Sequence, residues 1–197
     1  MSKAERTHQH ILEATAPVFN TRGFEAASVS SLCEATHLTK GALYGHFRDK
    51  EELSIAAFDF AVQKVKSMVK ERVSEQKTNH HKLLALMRFY AEYVFNPPVG
   101  GGCPLLNAAI EMDDERNHPL RRKVAKELKQ TVMFIAHLLE EGIHAGEFKK
   151  GINSMQYAYL FFCAIEGAIM VSRVSPNDEA MKQVVGLCER ILSDLKK

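Results

Sequence analysis

Apolar residues recur along most of this chain at the three-to-four-residue spacing of helices packed by one face. Ile11, Ala14, Thr15, Val18 and Phe19 mark a first helix over Ala4 to Thr21, which Gly23 closes. Pro17 sits inside it, where it can bend it. Val29, Leu32 and Cys33 are the inward positions of a second short helix that Ser28 can cap. Leu43 and Phe47 give an inward edge to a third, capped by Thr39. Between the two lies the turn Thr36-His37-Leu38.

Further along, Leu53, Ala56, Ala57 and Phe60, continued by Val65, Met68, Val69 and Val73, predict a long helix over Glu51 to Ser74 that links the N-terminal head to a larger body. Helices follow over Lys82 to Phe95, Leu105 to Met112 and Pro119 to Ala145. The turn-rich run Asn96 to Pro104 breaks the series, and Val124, Leu128, Val132, Ile135, Leu139 and Gly142 form the stripe of the longest member. The last two helices, about Met155 to Val174 and Asn177 to Leu195, are expected to be half of a four-helix bundle completed by a second subunit. The first of them is apolar on nearly every side and needs cover all round. The expected fold is all-α, with a head over residues 1–50 and a body over 51–197.

Two short helices joined by a three- or four-residue turn, the second presenting its N-terminal residues outward, form the arrangement that lays a recognition helix in the major groove. Lys40, Ala42, Tyr44 and His46 point away from the core, while Gly41 and Gly45 remove the bulk that would hold the backbone off a duplex. Phe24 through Leu53 resembles the N-terminal signature of TetR-type transcriptional regulators. The match is carried by Gly23-Phe24, Val29-x-x-Leu32, Lys40-Gly41-x-Leu43-Tyr44-x-His46-Phe47 and Lys50-Glu51-x-Leu53. Relatives usually carry glycine where this chain has His37, a residue that tolerates the left-handed conformation needed there, and alanine where it has Cys33. Many place a large base-contacting side chain where this chain has Gly45.

The resemblance implies phosphate contacts from Ser28, Tyr44 and Lys50. It implies base or groove contacts from Ser30, Lys40, Gly41, Ala42 and His46, with Thr39 as the cap of the reading helix. The chemistry agrees, since Lys40 can donate to guanine O6 or N7 and Ala42 can press on a thymine methyl, while Tyr44 and Lys50 fix register without reading sequence. The plain alternatives are a core aromatic for Tyr44 and a helix-ending cap for His46. The resemblance further implies a homodimer on a palindromic operator in double-stranded DNA, most simply as a repressor. A small-molecule inducer held in the body would release it. Candidate lining comprises Phe89, Tyr93, Leu106, Phe134, Leu138, Tyr159, Phe162 and Cys163, each of which has plain packing as its alternative.

Composition changes little. The 197 residues carry a formal charge of only +2, so any basic surface is local, and the Lys64, Lys66, Lys70 and Arg72 run reads as a solvated helix face. Neither a signal peptide nor an apolar run long enough to span a bilayer is evident, so a cytoplasmic protein with no membrane partner is expected. Four scattered cysteines read as thiols, those at 33, 163 and 188 as fillers of apolar faces. Cys103 follows three glycines and precedes Pro104, at the head of a helix whose dipole would favour its thiolate. With Asn107 and Glu111 it resembles a subgroup of TetR-like proteins, some of which sense oxidants or electrophiles through such a cysteine. A small capping residue under the glycine turn is the favoured alternative.

His137, Glu141 and His144 share a solvated helix face, and His80-His81 reads as part of a polar turn, so no metal and no cofactor is expected. Nothing resembles a phosphate loop, a nucleophile elbow or a His-Glu-x-x-His helix, which excludes those enzyme classes. The reading from another class is a helical small-molecule carrier or sensor without DNA binding.

Overall fold

A computed structural model describes residues 2–175 and 177–197 and consists, among these, of nine α-helices with no strand. They are α1 (Lys3–Arg22), α2 (Val29–Thr36), α3 (Lys40–Tyr44), α4 (Lys50–Ser74), α5 (Asn79–Tyr93), α6 (Pro104–Met112), α7 (Pro119–His144), α8 (Ser154–Val174) and α9 (Glu179–Asp194). Capping chemistry sets several of the starts. Ser2 and Glu5 exchange side-chain and backbone hydrogen bonds at α1, and Ser28, Thr39, Thr78 and Asn153 each accept an amide from the first turn they precede. Helix α1 continues through Pro17 to Arg22.

The chain folds as two compact units, Met1–Val65 with Pro98–Ala125 and Lys66–Pro97 with Lys126–Lys197, so α4 and α7 contribute to both. In the first unit Ile11, Phe19, Leu32, Leu43, Leu53 and Phe58 are fully buried, and the Phe24 ring stacks on Phe19 with centroids 5.6 Å apart. Helix α6 belongs to this unit and packs on α1.

The second unit is built from the ends of α4 and α7 with α5, α8 and α9. Its tightest point is Gly142, where a Cβ would collide with the Phe148 ring. Phe148 is itself buried, held by the hydrogen bond from Lys149 N to the Leu195 carbonyl at 2.9 Å. The neighbouring Glu147 carboxylate caps α5 from outside, taking the amides of Asn79 at 3.0 Å and His80 at 2.9 Å. This external cap and the local one at Thr78 together set the start of α5 at Asn79, a few residues before the start at Lys82 that its apolar spacing suggests.

Three expectations need correction. His80 is not in a polar turn: it occupies the first turn of α5, buried near Phe148, and neither ring nitrogen has a hydrogen-bond partner among the described residues. Cys163 does not fill an apolar interior but lies exposed on α8, whereas Cys188 is buried and Cys33 half-buried. Helix α8 is, by length and composition alone, long and apolar enough to cross a membrane. Its uncharged run is interrupted by Glu166, and one side, with Ala158, Phe161, Ile165 and Ile169, is buried within its own unit, as in the core helix of a globular protein.

Candidate nucleic-acid interface and ligand cavity

The candidate reading surface is built from a turn that only a few residue types can make. His37 adopts φ 55° and ψ 29°, the single non-glycine residue with positive φ among those described, and lets the Leu38 amide reach back to the Cys33 carbonyl at 3.3 Å. Thr36 reinforces the end of α2 by donating its hydroxyl to the Leu32 carbonyl at 2.8 Å. Thr39 Oγ1 then accepts from the Ala42 amide at 3.2 Å and starts α3, which lasts five residues. Its one buried member is Leu43. Phe47, expected as the lower edge of the same helix, is buried beyond it, because the chain leaves helical geometry after Gly45; His8 stacks on it at 4.7 Å.

What α3 shows to solvent is small and polar. Lys40, Gly41 and Ala42 are exposed, Ser28, Ser30 and Thr39 are exposed beside them, and Tyr44, His46 and Lys50 are half-buried along the edge. A Cβ on Gly41 would meet nothing within 4 Å, and one on Gly45, whose φ is −71°, would make ordinary contact with the Ala42 carbonyl. Neither glycine is required by the fold itself. Lys50 opens α4 and donates Nζ to the Glu25 carbonyl at 2.6 Å, which holds its charge at the end of the surface. Partial burial, with the neighbouring Cys33 and Asp49, raises the Tyr44 hydroxyl above its ordinary value, so it is a neutral donor at physiological pH. Arg48, exposed and paired with Asp49 at 2.8 Å, adjoins the same edge and was not among the expected contacts.

A polar latch ties α6 to this head. Glu111 accepts the amides of Phe24 at 2.8 Å and Glu25 at 2.7 Å. Asn107 donates to the carbonyl and side-chain oxygens of Asn20, both at 3.0 Å, and Asn20 in turn donates to the carbonyls of Gly100 and Gly102, both at 2.8 Å. Gly101, with φ 95°, lies so close to the Asn20 backbone that no side chain fits. Cys103 is the N-cap position of α6, ahead of Pro104, as expected, but it is 4% exposed and its side chain makes no cap hydrogen bond. Asn107 and Glu111, noticed in the sequence only beside Cys103, thus have structural work of their own.

The second unit contains an apolar cavity of about 320 Å³. Helix α4 contributes Lys66, Val69 and Lys70, α5 Leu86 and Tyr90, α7 Gln130, Thr131, Phe134 and Ile135, and α8 Phe162, Ile165 and Glu166. Of the expected lining, Phe134 and Phe162 are here. Phe89, Tyr93 and Leu138 are buried elsewhere, Leu106 lies on α6 in the first unit, and Tyr159 and Cys163 face outward on α8. Lys66, expected on a solvated face, instead sits at the cavity, with its ammonium hydrogen-bonded to Glu127 and, at 3.0 Å, to Gln130.

Residues 11–57 match the model for bacterial regulatory proteins of the tetR family, and residues 80–186 match the tetracyclin repressor-like C-terminal domain. The chain belongs to the TetR family. A TetR-family transcriptional regulator from Cytophaga hutchinsonii is 34% identical and superposes with a TM-score of 0.90, covering 100% of this chain and 98% of that one. Another, from Chloroflexus aurantiacus, is 30% identical with a TM-score of 0.94 over 100% and 98%. Among characterised relatives, the fatty acid metabolism regulator protein of Bacillus subtilis is 22% identical over 86% of this chain and 84% of its own length. The transcriptional repressor DhaR of a Mycobacterium species is 23% identical over 89% and 86%.

As a TetR-family member, this protein is a DNA-binding transcriptional regulator with an N-terminal helix-turn-helix, and the family is not an enzymatic one. The subgroup with a sensor cysteine finds no support among its relatives. Most of the cavity escaped sequence reasoning because its lining is scattered over four helices whose apolar stripes serve packing as well. One signal was present: Glu166 is the sole carboxylate of the largely apolar α8.

Proposed function

We propose that this regulator is a repressor, acting in the cytoplasm as a homodimer on a palindromic operator, and that a small molecule in the α4–α5–α7–α8 cavity releases it. In this reading residues 1–50 read DNA and residues 51–197 hold the ligand and the dimer contact. The observation that carries it is the exposed, side-chain-poor start of α3. Lys40, Gly41 and Ala42 stand free, and the fold has no need of glycine at 41 or 45, so the demand for small residues comes from a surface that approaches the backbone. Ser30, Lys40, Gly41, Ala42 and His46 make the base-edge or groove contacts, while Ser28, Tyr44 and Lys50 bind phosphates and Thr39 caps the reading helix.

The dimer contact in this reading is the apolar stripe that α8 leaves uncovered, Tyr159, Leu160, Met170, Val171 and Val174, together with Leu187 of α9. Gly167 lies in that stripe with open space where a side chain would be, which suits close approach of a twofold-related helix. Release by a ligand is favoured over release by oxidation because Cys103 is buried, whereas the cavity is open and apolar.

The test is selection of genome fragments by the purified protein across a range of salt concentrations. Enrichment of one inverted repeat, with an affinity that falls steeply as salt rises, is the expected result. Sedimentation of the unbound protein should give a dimer. Enrichment of no inverted repeat at any salt concentration would overturn the reading in favour of a helical small-molecule carrier without DNA binding.

A further inference from the structure

The cavity wall is largely apolar, and the polar groups set into it are already engaged within the protein. Lys66 gives its ammonium to the Glu127 carboxylate and, at 3.0 Å, to the Gln130 amide oxygen. The Glu127 side chain is only 14% exposed, so this pair is partly withdrawn from water. One turn further along α7, Thr131 donates its hydroxyl to the Glu127 carbonyl at 2.9 Å. Glu166 and Tyr90 each have interactions of their own. Lys70 is exposed, where water and salt screen it. A charged group brought into such a wall must stay unpaired away from water or break the Lys66–Glu127 pair, and either course weakens binding.

From these internal pairs we infer that the cavity selects an uncharged lipophile, an alkylated arene with at most one hydroxyl, and that the Lys66–Glu127 pair sets this choice. The assignment rests on the cavity being the effector site and specifies what that site takes. Apolar contact supplies the affinity, with Phe134 and Phe162 offering rings and Ile135 and Ile165 branched side chains. The volume of about 320 Å³ admits one ring with a short alkyl chain. A single hydroxyl is accepted because the Thr131 oxygen keeps accepting capacity after its proton has gone to the Glu127 carbonyl. While Lys66 and Glu127 neutralise each other, an amine and a carboxylate of the same shape are both disfavoured. Loss of Lys66 alone would leave an acid without its ion partner and turn that part of the wall towards cations.

Calorimetry with three probes of one shape tests this near neutral pH: para-butylbenzyl alcohol, para-butylbenzylamine and para-butylbenzoate, each titrated into the full-length protein. The alcohol is expected to bind about ten-fold or more tighter than either ion, because all three share the same apolar contact and only the ions bring a charge that finds no partner. Lys66→Met should leave the alcohol's affinity within about two-fold and raise the amine's by about ten-fold, since Glu127 then lacks its ion partner. The comparison within the native protein needs no variant, so it decides the choice of ligand even if that substitution fails to fold. Amine or benzoate binding as tightly as the alcohol would overturn the assignment and leave the cavity as the effector site. An amine that gains nothing in a folded Lys66→Met protein would overturn the role given to the Lys66–Glu127 pair. Failure of all three probes to bind would overturn the assignment and the effector site together.

Discussion

Helices α3 and α8 keep their distinctive residues on opposite sides. In α3, five residues long, a single side chain, Leu43, is buried and the rest is turned outward, so what it can do is set by what it exposes. In α8, 21 residues long and almost wholly apolar, the informative group is Glu166, which is turned inward. A surface that meets DNA needs short polar and small groups held in register by caps and a strained turn, whereas a cavity needs one polar group among many apolar ones. The first kind of site leaves a contiguous signature in the chain. The second is assembled from helices distant in sequence, each of which looks like ordinary core.

The contrast is broken most severely by Gly142→Leu in α7, which drives a side chain into Phe148 in the second unit. Overpacking of this kind costs about 3 kcal/mol, and thermal denaturation should show it together with weakened binding to the cavity. Leu at Gly41 is the matched change in the head. It meets open space, so stability should stay within about 0.5 kcal/mol while DNA binding is lost. If the Gly41 variant melts early instead, the glycine serves the fold and not the groove.

Within the reading surface, Lys40→Ala and Lys50→Ala are expected to differ in kind. In our reading Lys40 donates to a base edge, so its loss should cost about 1–3 kcal/mol and relax the preference at one operator position. Lys50 holds a phosphate in our reading, so its loss should weaken all duplexes nearly alike and reduce the salt slope by about one. Competition binding with operator variants at several salt concentrations separates them, and identical behaviour would mean that neither reads sequence.

Next in size is the latch. Glu111→Gln keeps the shape of the side chain but replaces a carboxylate that accepts the Phe24 and Glu25 amides. A loss of about 1 kcal/mol in stability is expected, since one of the two amides is exposed and can turn to water. DNA affinity should fall by more than stability, because the turn that the latch holds precedes α2 directly.

How far the sequence discloses these features follows the same division. The boundaries of α2, the turn at His37 and the cap at Thr39 are legible because each rests on local chemistry: a hydroxyl with an amide three residues on, or a side chain that tolerates positive φ. The end of α3 at Tyr44 is not, since Phe47 keeps helical spacing from Leu43 while the intervening Gly45-His46 leaves the helix. The start of α5 is only partly local. Thr78 caps it through the His81 amide, but the Asn79 and His80 amides are taken by Glu147, 68 residues away from Asn79, and no local pattern points there. Cys103 drew attention through its glycines, but only packing reveals that it is buried, and only the hydrogen bonds of Asn107 and Glu111 reveal why the residues around it matter.

The smallest expected effect lies at that remote cap and has a definite sign. Burial lowers the affinity of His80 for a proton below its ordinary value of 6.5, the positive charges of Lys196 and His81 lower it further, and the Glu147 carboxylate opposes them. The folded protein therefore binds this proton less readily than the unfolded chain. Above the ordinary histidine range neither state is protonated and His80 has no effect; as pH falls through that range the unfolded chain takes up the proton first and stability declines. Glu147 behaves in the same sense at more acidic pH. Burial alone would raise its carboxyl, but the amide hydrogen bonds from His80 and Asn79 outweigh this and hold it below the ordinary value, so its contribution is lost only when it is finally protonated. Denaturant titrations of the native protein and of His80→Leu, at intervals from about pH 8 to about pH 5.5, should diverge only at the acidic end, with the native protein losing stability and the variant holding level. Parallel curves would mean that His80 reaches water when charged, and that the α5 start yields more readily than the buried ring implies.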